Sequence, residues 1–223
     1  MSVDAESADR RRRWDVLVGF GLAAATAYSF AALPLRPWLL AQAPAVLAAL
    51  TGSRPALVAV GALAAAESRP WLLPLLAGIV SIVKFHWVFW GAGRLWGDAA
   101  LARVAGDSPR ARRSIARAEE LVRRYQVLAV VVTYVPFMPR EVVHVALGTA
   151  GVPLRRFVVV DLTAAVVTQA AMVAVGAWLG DSAVSVVKAY AGYAGWVALV
   201  VGVVMVTAAV RAWRRRLSRR SPR

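Results

Sequence analysis

Apolar residues in this chain gather into long unbroken runs, without the spacing of a water-soluble helix or the alternation of a half-buried strand. Four runs, at 14–33, 70–92, 157–180 and 189–210, reach the roughly 20 residues that a helix needs to cross hydrocarbon. Two further apolar regions, 38–66 and 126–151, are interrupted near their middles. The interruptions are Thr51-Gly52-Ser53-Arg54-Pro55 and Val135-Pro136-Phe137-Met138-Pro139-Arg140-Glu141. Between the halves, Ser108-Pro109 is a helix-start signal, and Ile115, Ala118, Leu121, Val122 and Tyr125 form an apolar stripe. An amphipathic helix on the inner leaflet is expected there, its Arg face near anionic head groups.

Charge turns these runs into a topology. Of 27 cations against 12 acids, all but Lys84 and Lys188 are Arg, and most stand just outside the apolar runs. Arg10 to Arg13 precede the first run, eight Arg lie within 94–124, and seven within 211–223. The positive-inside rule puts all three groups in the cytoplasm. Region 38–66 then begins and ends outside, and region 126–151, bounded by the linker and Arg155-Arg156, begins and ends inside. Neither crosses once, so both read as re-entrant hairpins, with amphipathic interfacial helices as the plainer alternative.

The expected fold is therefore an all-α polytopic membrane protein. It has four full transmembrane helices, two opposed re-entrant helical hairpins in an inverted repeat, and a cytoplasmic amphipathic linker helix. The segments are a basic N-terminus (1–13), a helix (14–33), a first repeat (37–93), the linker (94–125), a second repeat (126–180), a last helix (185–211) and an Arg-rich tail (212–223). Around Gly61, Ala56-Leu-Val-Ala-Val-Gly61-Ala-Leu-Ala-Ala is locally similar to Val142-Val-His-Val-Ala-Leu-Gly148-Thr-Ala-Gly. Paired interrupted segments in inverted halves point to a secondary transporter with a midplane site.

Ionisable residues at depth are the candidate chemistry, since each costs about 2.5–3.5 kcal/mol to insert. Arg54 and Arg140 occupy matching places at the two interruptions, and a guanidinium fork suits phosphate by donating two parallel hydrogen bonds. The plainer readings are a salt bridge from Arg140 to Glu141 and a loop position for Arg54. Lys84 and Gln169 fall near mid-membrane in their spans, and Lys84 joins the substrate-binding candidates unless it snorkels to the surface. His86, two residues on, faces another side of the helix. His144, one turn after Arg140, shares its face and is otherwise a satisfied structural donor. For proton coupling the candidates are Glu141, Asp161, Glu67 and His86. Glu67 with Arg69 also reads as a solvated pair, and Asp161 as a partner of Arg155-Arg156.

Several motifs together resemble the DedA family, whose domain is also called VTT or SNARE-associated. They are Tyr134-Val-Pro136-Phe-Met-Pro139-Arg140, Gly148, Val152-Pro153-Leu-Arg155-Arg156-Phe157, Gly176-Ala-Trp-Leu-Gly180, Trp90-Gly91-Ala92-Gly93-Arg94-Leu95-Trp96-Gly97, and Pro55 with Gly61. The likeness covers roughly 55–180. It implies structural roles for Pro55, Gly61, Pro136, Pro139, Gly148 and Pro153, and a substrate-binding role for Tyr134, which stands where the family carries an Arg. The chain departs from the pattern in lacking the acidic residue after Pro55 and the Asp before the Trp90 segment. Family members are implicated in moving phospholipids or undecaprenyl phosphate, some with proton coupling. The expected function is thus a flippase or scramblase for a phosphate-bearing lipid in a bacterial-type cytoplasmic membrane, multi-pass with both termini cytoplasmic. A structural scaffold and an intramembrane lipid-modifying enzyme are the alternatives.

Other classes fit poorly. No Gly-x-Ser-x-Gly, His-Glu-x-x-His, phosphate-cradling Gly loop or carboxylate cluster with metal spacing occurs, so no catalytic residue, metal or cofactor is expected. The absence of cysteine excludes disulfide and thiolate-metal scaffolds. Nucleic acid is not an expected partner, because the basic runs lack aromatic interleaving. The anionic inner leaflet is one, and homo-oligomerisation is left open.

Overall fold

The computed structural model describes residues 3–106, 108–134 and 140–218, and among these residues the chain is helical with no strand. The helices are α1 (Val3–Ala32), α2 (Leu35–Gln42), α3 (Pro44–Thr51), α4 (Arg54–Glu67), α5 (Leu72–Val83), α6 (His86–Trp96), α7 (Asp98–Ala105), α8 (Pro109–Tyr125), α9 (Ala129–Val132), α10 (Arg140–Thr149), α11 (Leu154–Leu179) and α12 (Asp181–Ser218). Four stretches are long and apolar enough to cross a membrane: Arg11–Ala32, Leu72–Trp96, Leu154–Leu179 and Asp181–Met205. Their outer surfaces carry large side chains that water would reject, with Phe20 75% exposed, Leu73 75% and Trp178 84%. Such a continuous apolar surface is matched to lipid.

The interruptions have local causes. Region 38–66 is three helices and not one hairpin with a single break, because Pro44 disfavours helical backbone at Ala43, where α2 gives way to α3. Between α3 and α4, Gly52 adopts φ 61°, and a Cβ there would lie 2.7 Å from the Gly78 carbonyl oxygen. Only glycine fits that left-handed, crowded turn. Pro55 then opens α4 at a first-turn position that needs no N–H donor.

The run 70–92 is borne out as part of one candidate span, Leu72–Trp96, with a kink where α5 gives way to α6. Here the indole of Trp87 donates to the Lys84 carbonyl (2.9 Å) and Val88 N–H to that of Phe85 (3.1 Å), so side-chain and tighter backbone bonds replace part of the helical ladder. The last helix begins at Asp181, earlier than 185, directly after Gly180 at φ 49°. Part of the α8 stripe turns inward, Ala118 and Val122 being buried where the helix packs against α7 and α10, while Tyr125 at its end is exposed. On its exposed side Arg123 pairs with Glu120, which raises the guanidinium pKa above its ordinary value.

Two helix crossings hold the centre together. In one, α4 crosses α11, and a Cβ on Gly61 would stand 2.0 Å from the Val173 carbonyl oxygen, one on Gly176 1.9 Å from that of Val58. In the other, α6 crosses α10, and a Cβ on Gly93 would stand 1.9 Å from the Val145 oxygen, one on Gly148 2.0 Å from that of Trp90. In both crossings each glycine faces the carbonyl three residues before its partner glycine. Small residues allow this backbone approach where lipid supplies no hydrophobic drive between helices.

Candidate functional site

Beside the α6–α10 crossing lies a buried polar cluster. His86 is the first residue of α6, Asp161 lies two turns into α11, His144 follows Arg140 by one turn on α10, and Tyr134 comes two residues after α9. His86 Nδ1–H donates to Asp161 Oδ2 at 2.7 Å. The Tyr134 hydroxyl donates to Oδ1 of the same carboxylate at 2.9 Å, with the Asp161 carbonyl 3.2 Å away. His144 Nε2 stands 4.0 Å from Oδ1, beyond hydrogen-bond length. The two imidazoles tilt against each other with centroids 4.5 Å apart, and Phe157 meets His144 edge-on at 5.2 Å.

Asp161 is 2% exposed, and among the described residues neither ring nitrogen of the fully buried His144 has a hydrogen-bond partner. An unpaired buried polar group costs about 1–3 kcal/mol, so His144 is unsatisfied where a simple structural donor would be paired. Asp161 meets His86 and Tyr134, not the arginines at the start of α11.

Tyr134 joins this cluster to two cations. Arg54 Nη2 donates to the Tyr134 carbonyl at 2.5 Å, and the Arg140 guanidinium lies over the Tyr134 ring, 5.0 Å from its centroid. Arg54 and Arg140 are within electrostatic reach of each other. Among the described residues neither has a carboxylate partner, and Nε of Arg140 is buried without one. The salt bridge from Arg140 to Glu141 does not form; Glu141 is exposed.

The remaining expected residues go elsewhere. Lys84 does not join Arg140: its Nζ sits 3.7 Å over the Tyr28 ring and donates to the Leu50 carbonyl at 3.2 Å, held by a cation–π contact away from the cluster. Glu67, exposed at the end of α4, pairs with Arg69 and with Lys188, each at 3.5 Å, so it is not a buried carboxylate. Gly61 and Gly148 make the two crossings, and Pro153 caps the start of α11. Pro136 and Pro139 lie outside the described residues.

What spacing along the chain did not reveal is the meeting of His86, His144 and Asp161 across three helices. The one signal available was composition, since the chain has only two histidines and both stand here. Beside the other crossing, Gln169 donates from Nε2 to the Gly52 carbonyl at 3.2 Å.

Comparison with known families gives one match: the VTT domain, over residues 45–178. None of the curated proteins or solved structures compared with the chain matches it.

Proposed function

We propose that this chain, which belongs to the VTT-domain family of DedA and SNARE-associated membrane proteins, is a transporter that moves a phosphate-bearing lipid between leaflets. The observation that carries the reading is the convergence of Arg54 and Arg140 on Tyr134, with no carboxylate partner among the described residues. Two half-buried guanidiniums without a carboxylate partner among the described residues favour an anion, and their planar forks match phosphate oxygens. A groove of about 680 Å³ runs from Arg54 and Pro55 along Leu40, Val58, Leu179 and Val186. Its nearly all-apolar wall with one cation suits an acyl or prenyl chain whose phosphate stays at the guanidinium.

The same reading makes the interrupted segments re-entrant. At 1.5 Å per residue α4 reaches about 21 Å and α10 about 15 Å, each short of the ~30 Å hydrocarbon core. The matched glycine crossings support an inverted repeat, and the Arg clusters support termini and linker in the cytoplasm of a bacterial-type cell. No bond is made or broken in the lipid, so the protein is not an enzyme.

Liposomes carrying fluorescent phospholipid or polyprenyl phosphate, with and without a pH gradient, test the proposal. Protein is expected to speed lipid exchange between leaflets, and Arg140→Lys to reduce the rate at least tenfold, because Lys offers a point charge in place of a fork. Rates equal to those of protein-free vesicles, or Arg140→Lys and Arg54→Gln both at the wild-type rate, would overturn it.

A further inference from the structure

We infer that His86, His144 and Asp161 form a binding site for a divalent transition-metal ion, of which Zn²⁺ is the type case. Their donor atoms lie within 4.8 Å of one another and all three residues are buried. Two imidazoles and one carboxylate form a donor set suited to zinc and its neighbours and unlike the all-oxygen sets of magnesium and calcium.

The distances fit a site that closes around an ion. Bonds of 2.0–2.2 Å in a tetrahedron put ligand atoms about 3.4 Å apart. The present separations, 2.7 Å from His86 Nδ1 to Oδ2 and 4.0 Å from His144 Nε2 to Oδ1, fall on either side of that value. Modest side-chain shifts would therefore equalise them. Binding at His86 Nδ1 requires the Nε2–H tautomer, so the imidazole moves its own proton and needs no second one.

The second observation is His144, buried and without a hydrogen-bond partner among the described residues. A hydrogen-bonded His86–Asp161 pair accounts for two of the three residues and leaves this imidazole unexplained between Val143 and Val145, where an apolar side chain would pack without penalty. An ion gives its ring nitrogen a bond. Tyr134, donating to Oδ1, fixes the carboxylate as hydrogen-bonded partners of metal ligands do. Arg54 holds the Tyr134 carbonyl while the cluster holds the hydroxyl, and the cation nearest the ligands is Arg140, over the Tyr134 ring and one turn from His144. Three protein ligands leave one coordination position open, the pattern of sites that take up a water or an anion.

The inference does not rest on the lipid reading, and its readout is the metal alone. Tag-free, full-length protein in detergent is titrated with Co²⁺, followed by visible d–d absorption, with Zn²⁺ as competitor and metal content measured by mass spectrometry. The native chain suits this measurement, having no cysteine and no third histidine. One tightly bound Co²⁺ per chain is expected, displaced by Zn²⁺. His144→Gln and His86→Gln should each abolish the d–d bands, and Tyr134→Phe should weaken binding about 10–100-fold. Wild-type protein without d–d bands, or with metal uptake equal to that of the His86→Gln/His144→Gln double variant, is adventitious ion only and overturns the site. Should the histidine variants fail to fold, the wild-type spectrum and Tyr134→Phe decide.

Discussion

The two glycine crossings are alike in backbone and unlike in what they hold. At α4–α11 the neighbouring polar group is the amide of Gln169, hydrogen-bonded to the Gly52 carbonyl. At α6–α10 the neighbours are two histidines, a carboxylate and a tyrosine, with Arg54 reaching in from the first half. The same pair of close approaches thus frames a neutral, closing contact on one side and an ionisable cluster on the other. The comparison separates two tasks. Glycines and the breaks set the frame, whereas a few side chains beside the crossings set the chemistry, and one can change without the other.

Breaking the frame should have the largest effect. Gly93→Leu and Gly176→Leu place side chains where a Cβ alone would already lie 1.9 Å from a backbone oxygen that cannot turn aside. Overpacking of this kind typically costs about 1–3 kcal/mol and more when backbone must move. Both variants are expected to elute as aggregate or to lose many degrees of thermal stability in detergent. The contrast is Gly202→Leu on α12, where nothing lies within 4 Å of the added Cβ. Equal stability of Gly93→Leu and Gly202→Leu would remove the crossings as the frame.

Much of that frame was legible in the chain. Runs of spanning length gave the four candidate membrane helices, and Gly52 with Pro55 marked a break that the structure places between α3 and α4. The local similarity around Gly61 and Gly148 fell on two residues that make equivalent close approaches. The cluster was less legible, for a physical reason: its members come from α6, α10 and α11, and no local spacing records which faces of three helices meet. His86 and Asp161 stand 75 residues apart, so neither is found among the other's chain neighbours. Lys84 illustrates the opposite case. Depth along its span suggested a shared anion site, yet Tyr28 of α1 supplies an aromatic face that holds the ammonium apart. The break at Lys84 carries no glycine or proline, so it left no sequence mark.

A smaller effect belongs to the neutral side of the comparison. Gln169→Leu leaves the buried Gly52 carbonyl oxygen unpaired but also removes the amide's own Oε1, which has no partner among the described residues, so the net loss is about 1 kcal/mol. A drop of several degrees in thermal midpoint is expected, while cobalt binding and lipid movement stay within twofold of wild type. Loss of cobalt binding in this variant would show that the two sides are coupled and that the frame and the chemistry are not separable.

The smallest effect is expected outside both crossings, at Glu67. Its carboxylate meets Arg69 and Lys188 at 3.5 Å, with the two cations largely exposed. Ion pairs in such surroundings contribute roughly 0–1 kcal/mol, because water screens the attraction and two flexible side chains lose freedom in meeting. Glu67→Gln keeps the shape and removes the charge. It should leave the thermal midpoint within about 4 °C, since 1 kcal/mol shifts a chain of this size by roughly 2–4 °C. Lipid movement with and without a pH gradient should also match wild type, because this carboxylate is open to water at one end of α4 while Arg54 stands at the other. If Glu67→Gln abolished the response to the gradient while Arg140→Lys did not, the working carboxylate would lie at this surface, and the comparison of the two crossings would no longer locate the chemistry.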